Sequence, residues 1–184
     1  MELFNYFQTC VWADIIDIDN KMLEKEIYNF SLNNPQGQTF SNVGGYQGYS
    51  FVNQEWVDKV AHKVPTLDEK PISKLTLYTW ANINRKGNYN KRHVHMDPGI
   101  FLCGVYYVKA PENSGNIRFF DPRGPLMGSM QDHNYFFGGH AHQFITPKEG
   151  LLLFFPSWLE HDVEPNNSDE DRISIAFNVV VDKI

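Results

Sequence analysis

The chain has 184 residues, with 22 acidic against 16 basic side chains and a net charge of −6. Apolar residues make up 42% and aromatics 15%, which excludes a disordered tail, a collagen-like chain and a coiled coil. The acidic balance argues against nucleic acid as a partner, and no apolar run approaches the roughly 18 residues a membrane span needs. Cys10 and Cys103 cannot build a disulfide framework, and the N-terminus has acids where a signal peptide needs bases, so a reducing, cytoplasmic setting is expected. The basic patch from Arg85 to Arg92, RKGNYNKR, is read as a solvated loop because Gly and Asn dominate it.

One domain is expected, with a strand and buttressing helices in residues 1–70 and a β core in 74–184. Phe4 to Ile18 is apolar-rich and reads as an edge strand. Asp19 can cap a helix over Asn20 to Leu32, where Met22, Leu23, Ile27 and Phe30 recur at helical spacing. The turn chemistry of NNPQGQ, residues 33–38, ends it. Asn53 can cap a second helix, on which Trp56, Val57, Val60, Ala61 and Val64 form an apolar stripe. From Lys74 the pattern changes. KLTLYTWANIN, GIFLCGVYYVK, GNIRFFDP, GLLLFFPSW and RISIAFNVVVDK are short runs of aromatic and β-branched residues separated by Gly, Pro and Asn. Such a series predicts a mainly β sandwich or jelly roll flanked by helices.

Of the seven histidines, His93 and His95 fall in the most suggestive stretch, His93-Val94-His95-Met96-Asp97. On a strand, residues two apart point to the same face, so His95 and Asp97 can reach one ion together. With a distant histidine this makes a 2-His-1-carboxylate set, which suits Fe(II) and leaves coordination positions open. The other reading of the pair is a surface histidine near a turn aspartate. His161 is the candidate for the distant histidine, just beyond a buried strand, Leu151 to Phe155, and a Pro-Ser turn. Downstream, the alternation of Arg172-Ile-Ser174-Ile-Ala-Phe places Arg172 and Ser174 on one strand face and Ile173, Ile175 and Phe177 on the other. An arginine facing a cavity offers a planar fork that suits a carboxylate. The other reading pairs Arg172 with Asp169, Glu170 or Asp171.

The order H-x-D, then H, then R-x-S resembles the Fe(II)/2-oxoglutarate-dependent oxygenases, near their prolyl-4-hydroxylase-like branch. SNVGGYQGYSF, NYNKRHVHMDPGIFLCGVYYV, NSGNIRFFDPR and EGLLLFFPSWLEHDVEPN with DRISIAFN carry the likeness over about residues 41 to 181. The resemblance implies a double-stranded β-helix with iron inside the barrel mouth. It implies Fe(II) on His95, Asp97 and His161, and the distal carboxylate of 2-oxoglutarate on Arg172 and Ser174. Tyr107 would assist Arg172, its neighbour Tyr106 facing the other way, and Asn84 would also bind the cosubstrate. Dioxygen is the co-reactant, and ascorbate a supporting reductant. The implied reaction hydroxylates an unactivated C–H of a prolyl or other amino-acid residue in a peptide, or of a free amino acid. Asp97 points to oxygen insertion rather than halogenation. A cupin-like jelly roll that binds metal or ligand through His93-x-His95 without turnover is the alternative, and it has no need of an inward arginine.

Residues 121–143 form a long connection, rich in aromatics, Met and Gly. They are expected either to cover the barrel mouth as a lid or to pack as a hairpin on the outer sheet. Arg123, Tyr135 and His142 are the candidates there for contact with substrate. His140-x-His142 is also open to reading as a second metal pair.

Overall fold

The computed structural model describes residues 2, 8–65, 75–123 and 142–181. Its elements, in chain order, are β1 (Trp12–Ile15), α1 (Asn20–Asn33), β2 (Asn42–Val43), β3 (Tyr46–Tyr49), α2 (Gln54–Ala61), β4 (Leu75–Asn84), β5 (Tyr89–His93), β6 (Ile100–Lys109), β7 (Ile117–Phe120), β8 (His142–Ile145), β9 (Leu151–Pro156), β10 (His161–Val163) and β11 (Arg172–Val181). No helix among the described residues is long and apolar enough to cross a membrane.

Both helices start where the caps predict. The Asp19 carboxylate accepts from the Met22 amide at 3.0 Å, and the Asn53 side chain accepts from the Trp56 amide at 2.9 Å. Each satisfies an amide that a helix start leaves unpaired. The strands form two antiparallel sheets, in the orders β1-β9-β6-β11-β4-β3 and β2-β5-β10-β7-β8. The fold is the jelly roll expected from the run of short strands. The helices pack on the outer face of the larger sheet. There Leu23, Ile27, Trp56 and Val60 meet Tyr106, Leu152, Phe154, Ile173, Ile175 and Phe177 in one core.

Between the sheets the filling is uneven. At one end Cys103, Val105, Tyr107, Ile117, Phe119, Leu153, Phe155 and Leu159 pack together. Beside them β3, β4 and β11 face β2, β5 and β10 across a cavity, which Cys103, Val105, Tyr107, Ile117 and Phe155 also line. Alternation along β4 and β11 decides what lines it, because successive side chains leave a strand on opposite faces. Arg172 lies opposite Asn84, and Ser174 opposite Asn82 and Tyr107.

The basic patch is only partly a loop. Residues 85–88 turn, and Tyr89 to His93 form β5, paired with β2 and β10. The strand β5 ends at His93, so His95 and Asp97 do not lie on a strand as their spacing suggested.

Candidate active site

The cavity between the sheets has a volume of about 460 Å³, ordinary for a small-molecule site. His95, Asp97, His161, Arg172, Ser174, Tyr107 and Asn84 all line it. The fold therefore gathers into one place seven residues that the sequence spreads from Asn84 to Ser174.

At the mouth end, His93, His95 and His161 each present one ligand atom, and these atoms lie within 4.8 Å of one another. Two of the rings are held by their own chain. His93 Nδ1 bonds the Lys91 carbonyl at 2.6 Å, and His161 Nδ1 bonds the Leu159 carbonyl at 2.9 Å. A carbonyl only accepts, so each Nδ1 carries the proton and each Nε2 keeps a free lone pair. Burial depresses the basicity of all three imidazoles, His95 to about 4 and His161 well below the usual histidine range. The His93 ring adds to the effect on His95 and His161. Three neutral imidazoles with converging lone pairs fit a divalent metal ion.

An aromatic series leads from this cluster to the surface. The His95 ring stacks on Trp80 at 5.7 Å, Trp80 on Tyr49 at 5.4 Å, and Tyr49 meets Phe40 at 5.4 Å. Trp80 is buried, whereas Phe40 is 63% exposed.

Arg172 stands at the other end and is only 2% exposed. Its Nη1 donates to the carbonyls of Ser114 and Glu164, while its Nη2 is buried with no hydrogen-bond partner. The acids next to it in sequence are engaged elsewhere. Asp169 pairs with Lys86 at 2.6 Å, Glu170 with Lys109 at 3.0 Å, and Asp171 accepts from the Tyr28 hydroxyl at 2.8 Å. The guanidinium is thus buried without a carboxylate among the described residues, and burial works against its charge. Such a group is costly unless a ligand completes it. A carboxylate entering the cavity would do so, which is the fit expected of 2-oxoglutarate.

Tyr107 lies at this end, where burial raises its hydroxyl to about 12 against the opposing pull of Arg172. Tyr106 faces the helices and donates to Asn20 at 2.7 Å, as strand alternation requires. Asn166 donates to the Asn84 carbonyl at 2.9 Å and to the Glu170 carbonyl at 2.8 Å. It braces the loop before Arg172 against the end of β4.

The substrate candidates fall elsewhere. Arg123 is exposed and bonds Asp121 through its backbone, Nε and Nη2 at 2.8–3.0 Å. His142 lies on β8 between the Phe120 and Phe144 rings, and neither it nor Arg123 lines the cavity. Tyr135, His140 and the rest of 124–141 lie outside the described residues. The strands at the two ends of that segment pair in antiparallel fashion, Phe120 opposite His142.

Gln47, Asn82 and Asn178 also line the cavity, and sequence reading passed over them. Asn178 continues the inward series Arg172, Ser174, Ala176, so the period-2 rule that found Arg172 would have found it as well.

The family model described as "Putative 2OG-Fe(II) oxygenase" matches residues 78–178. No curated protein matches the chain. Among solved structures, a prolyl-4-hydroxylase from Pseudomonas putida is similar at 14% identity and TM-score 0.69, covering 95% of this chain and 94% of its own. A prolyl hydroxylase from Trichoplax adhaerens, in complex with a hypoxia inducible factor peptide fragment, is similar at 15% identity and TM-score 0.59, covering 94% and 83%. HygX from Streptomyces hygroscopicus, with nickel and 2-oxoglutarate bound, is similar at 10% identity and TM-score 0.58, again covering 94% and 83%. At such identities the solved structures speak for the fold alone, whereas the family model spans more than half of the chain. The chain belongs to the 2OG-Fe(II) oxygenases, a family that uses Fe(II), 2-oxoglutarate and dioxygen.

Proposed function

We propose that this protein hydroxylates an unactivated C–H of a prolyl or other amino-acid residue, in a peptide or as the free amino acid, using 2-oxoglutarate and dioxygen. The observation that carries the reading is Arg172. It is a buried guanidinium with one unpartnered amino group, in the same cavity as a cluster of metal-competent histidines. A module that merely binds metal has no use for that arrangement.

Bound Fe(II) supplies the activation of dioxygen, coupled to oxidative decarboxylation of the keto acid to succinate. The chain's own residues supply position. Arg172 and Ser174 hold the distal carboxylate of 2-oxoglutarate, and Tyr107 and Asn84 close around it. His95 and His161 provide two of the metal ligands. For the third, the sequence offers Asp97 and the fold offers His93. The apolar packing at the β6–β7–β9 end of the sandwich keeps water from the back of the site. The aromatic wall of Trp80, Tyr49 and Phe40 flanks the approach to the metal and gives a ring-bearing or apolar side chain a surface to lie against. The structural neighbours that act on prolyl residues support the choice of an amino-acid substrate.

The test is succinate release with Fe(II) and ascorbate against proline-containing peptides and free amino acids, with product mass read in parallel. Succinate formation stimulated by one of these, with a gain of one oxygen atom in it, is the expected result. A chain that binds no 2-oxoglutarate by calorimetry when loaded with metal would overturn the reading.

A further inference from the structure

We propose that the metal ion of this chain is held by three imidazoles, His93, His95 and His161, and that Asp97 is a turn residue outside the coordination sphere. The oxygenase reading enters only in naming the ion as iron. The ligand geometry stands independently of it.

The strand register places the first pair. His161 on β10 lies directly opposite His93, the last residue of β5. Side chains facing each other across an antiparallel pair have Cβ atoms about 4.5–5.5 Å apart, and these two ring centroids are 4.3 Å apart. The two rings are also held in the same way. Each turns its Nδ1 to the carbonyl two residues before it, and so each frees its Nε2.

His95 completes the set just past the strand end. Its backbone amide donates to the Ser157 carbonyl at 2.9 Å. That bond ties the segment after β5 to the end of β9. It brings the His95 ring to 5.0 Å from His93 and 5.3 Å from His161, nearly parallel to the latter. Trp80 supports its outer face. Ligand atoms about 2.1 Å from one ion would sit roughly 3 Å apart when adjacent. Small ring movements close the observed cluster onto a metal.

Asp97 has a different local role. The segment Asp97-Pro98-Gly99-Ile100 has the chemistry of a type II turn, with Pro second and Gly third. Ile100 N donates to the Asp97 carbonyl at 3.2 Å, and Gly99 has φ +90°. The Asp97 residue is exposed although it reaches the cavity wall, and its carboxylate is not part of the converging cluster. Strand alternation would have aligned Asp97 with His95 only if the strand had continued, and the strand stops at His93.

An all-imidazole set favours Co(II), Ni(II) and Cu(II) over Mn(II) more strongly than a set with a carboxylate does. The full chain, stripped with chelator, is loaded with Cu(II) and examined by pulsed electron paramagnetic resonance. Three equivalent imidazole couplings are expected in the wild type, and two would overturn the assignment. Co(II) titration then compares His93→Ala, His93→Gln and Asp97→Asn, with circular dichroism to verify folding. His93→Ala and His93→Gln are expected to weaken Co(II) binding at least roughly 100-fold, whereas Asp97→Asn should stay within about threefold of wild type. A loss on Asp97→Asn as large as on His93→Ala would overturn the proposal. The Cu(II) spectrum of the wild type needs no variant, so a misfolded mutant leaves the question answerable. Absence of 2-oxoglutarate turnover would end the hydroxylase reading and leave these metal measurements unaffected.

Discussion

Strands β4 and β11 run side by side in register, and their two faces follow opposite rules. The face toward the helices carries Ala81, Ile83, Ile173, Ile175 and Phe177, all buried in one apolar core. The face toward the cavity carries Asn82, Asn84, Arg172, Ser174 and Asn178. One backbone thus serves two ends. The helix side contributes stability through burial, with Trp56 Nε1 left unpartnered among apolar neighbours, and the cavity side holds unpartnered polar atoms on Gln47 and Arg172. Groups of that kind cost stability until a ligand arrives, so the sheet's outer face must hold the fold on behalf of its inner face.

The contrast breaks most sharply at Trp56. Its fully buried indole lies against Tyr106 at 6.2 Å and Phe177 at 5.6 Å, between α2 and the sheet. Trp56→Ala should cost about 3–5 kcal/mol of stability by denaturant titration. Under conditions where the variant stays folded, its 2-oxoglutarate affinity should match wild type.

Arg172→Met should do the reverse. Losing a charge-assisted contact in a dry pocket should weaken 2-oxoglutarate binding by about 2–5 kcal/mol, roughly 30- to 5000-fold. Stability without cosubstrate should move by no more than about 1 kcal/mol, because removal of an uncompensated buried charge offsets the two lost carbonyl contacts. Calorimetry and thermal melting read the two quantities. A variant that melts as early as Trp56→Ala would make Arg172 a structural residue and dissolve the distinction between the faces.

Asn53→Ala is the mildest probe. It removes the cap of α2 on the helix side and should cost about 1 kcal/mol, seen as a shifted denaturation midpoint with cosubstrate affinity unchanged. A change in cosubstrate affinity would mean that the two faces communicate.

β4, β6, β9 and β11 of the larger sheet were legible because they are buried on at least one face and read as aromatic and β-branched runs, whereas β3, YQGY, was not. Of the smaller sheet only β7, within GNIRFFDP, was legible. β2, β5, β8 and β10 are short and polar, with the sequences NV, YNKRH, HQFI and HDV. Several of their side chains face either solvent or the polar cavity, so no apolar run marks them. That is why RKGNYNKR reads as a loop, and why His93, open to reading only as half of a cupin-like pair with His95, gave no sign of lying opposite His161. The Pro98-Gly99 pair was the available warning that alternation would not persist to Asp97. Arg172 and Ser174 were legible from alternation, since β11 is long and apolar on its other face. The helix caps at Asp19 and Asn53 were legible because capping is a local matter of one side chain and one amide.

The charges around the cavity bear on how fast a ligand arrives. The chain as a whole carries a net charge of −6, yet the ionic residues lining this cavity are Lys91, Arg92 and Arg172 against Asp97. Arg92 is paired with Glu160, which leaves Lys91 and Arg172 against Asp97, a small positive excess in a negative molecule. A bound divalent ion adds to it. A dicarboxylate is opposed by the net charge of the chain and favoured by the charges of this cavity, so its encounter rate should fall as salt shortens the screening length toward a few ångströms. A monoanionic keto acid feels about half of that pull and should show the weaker salt dependence.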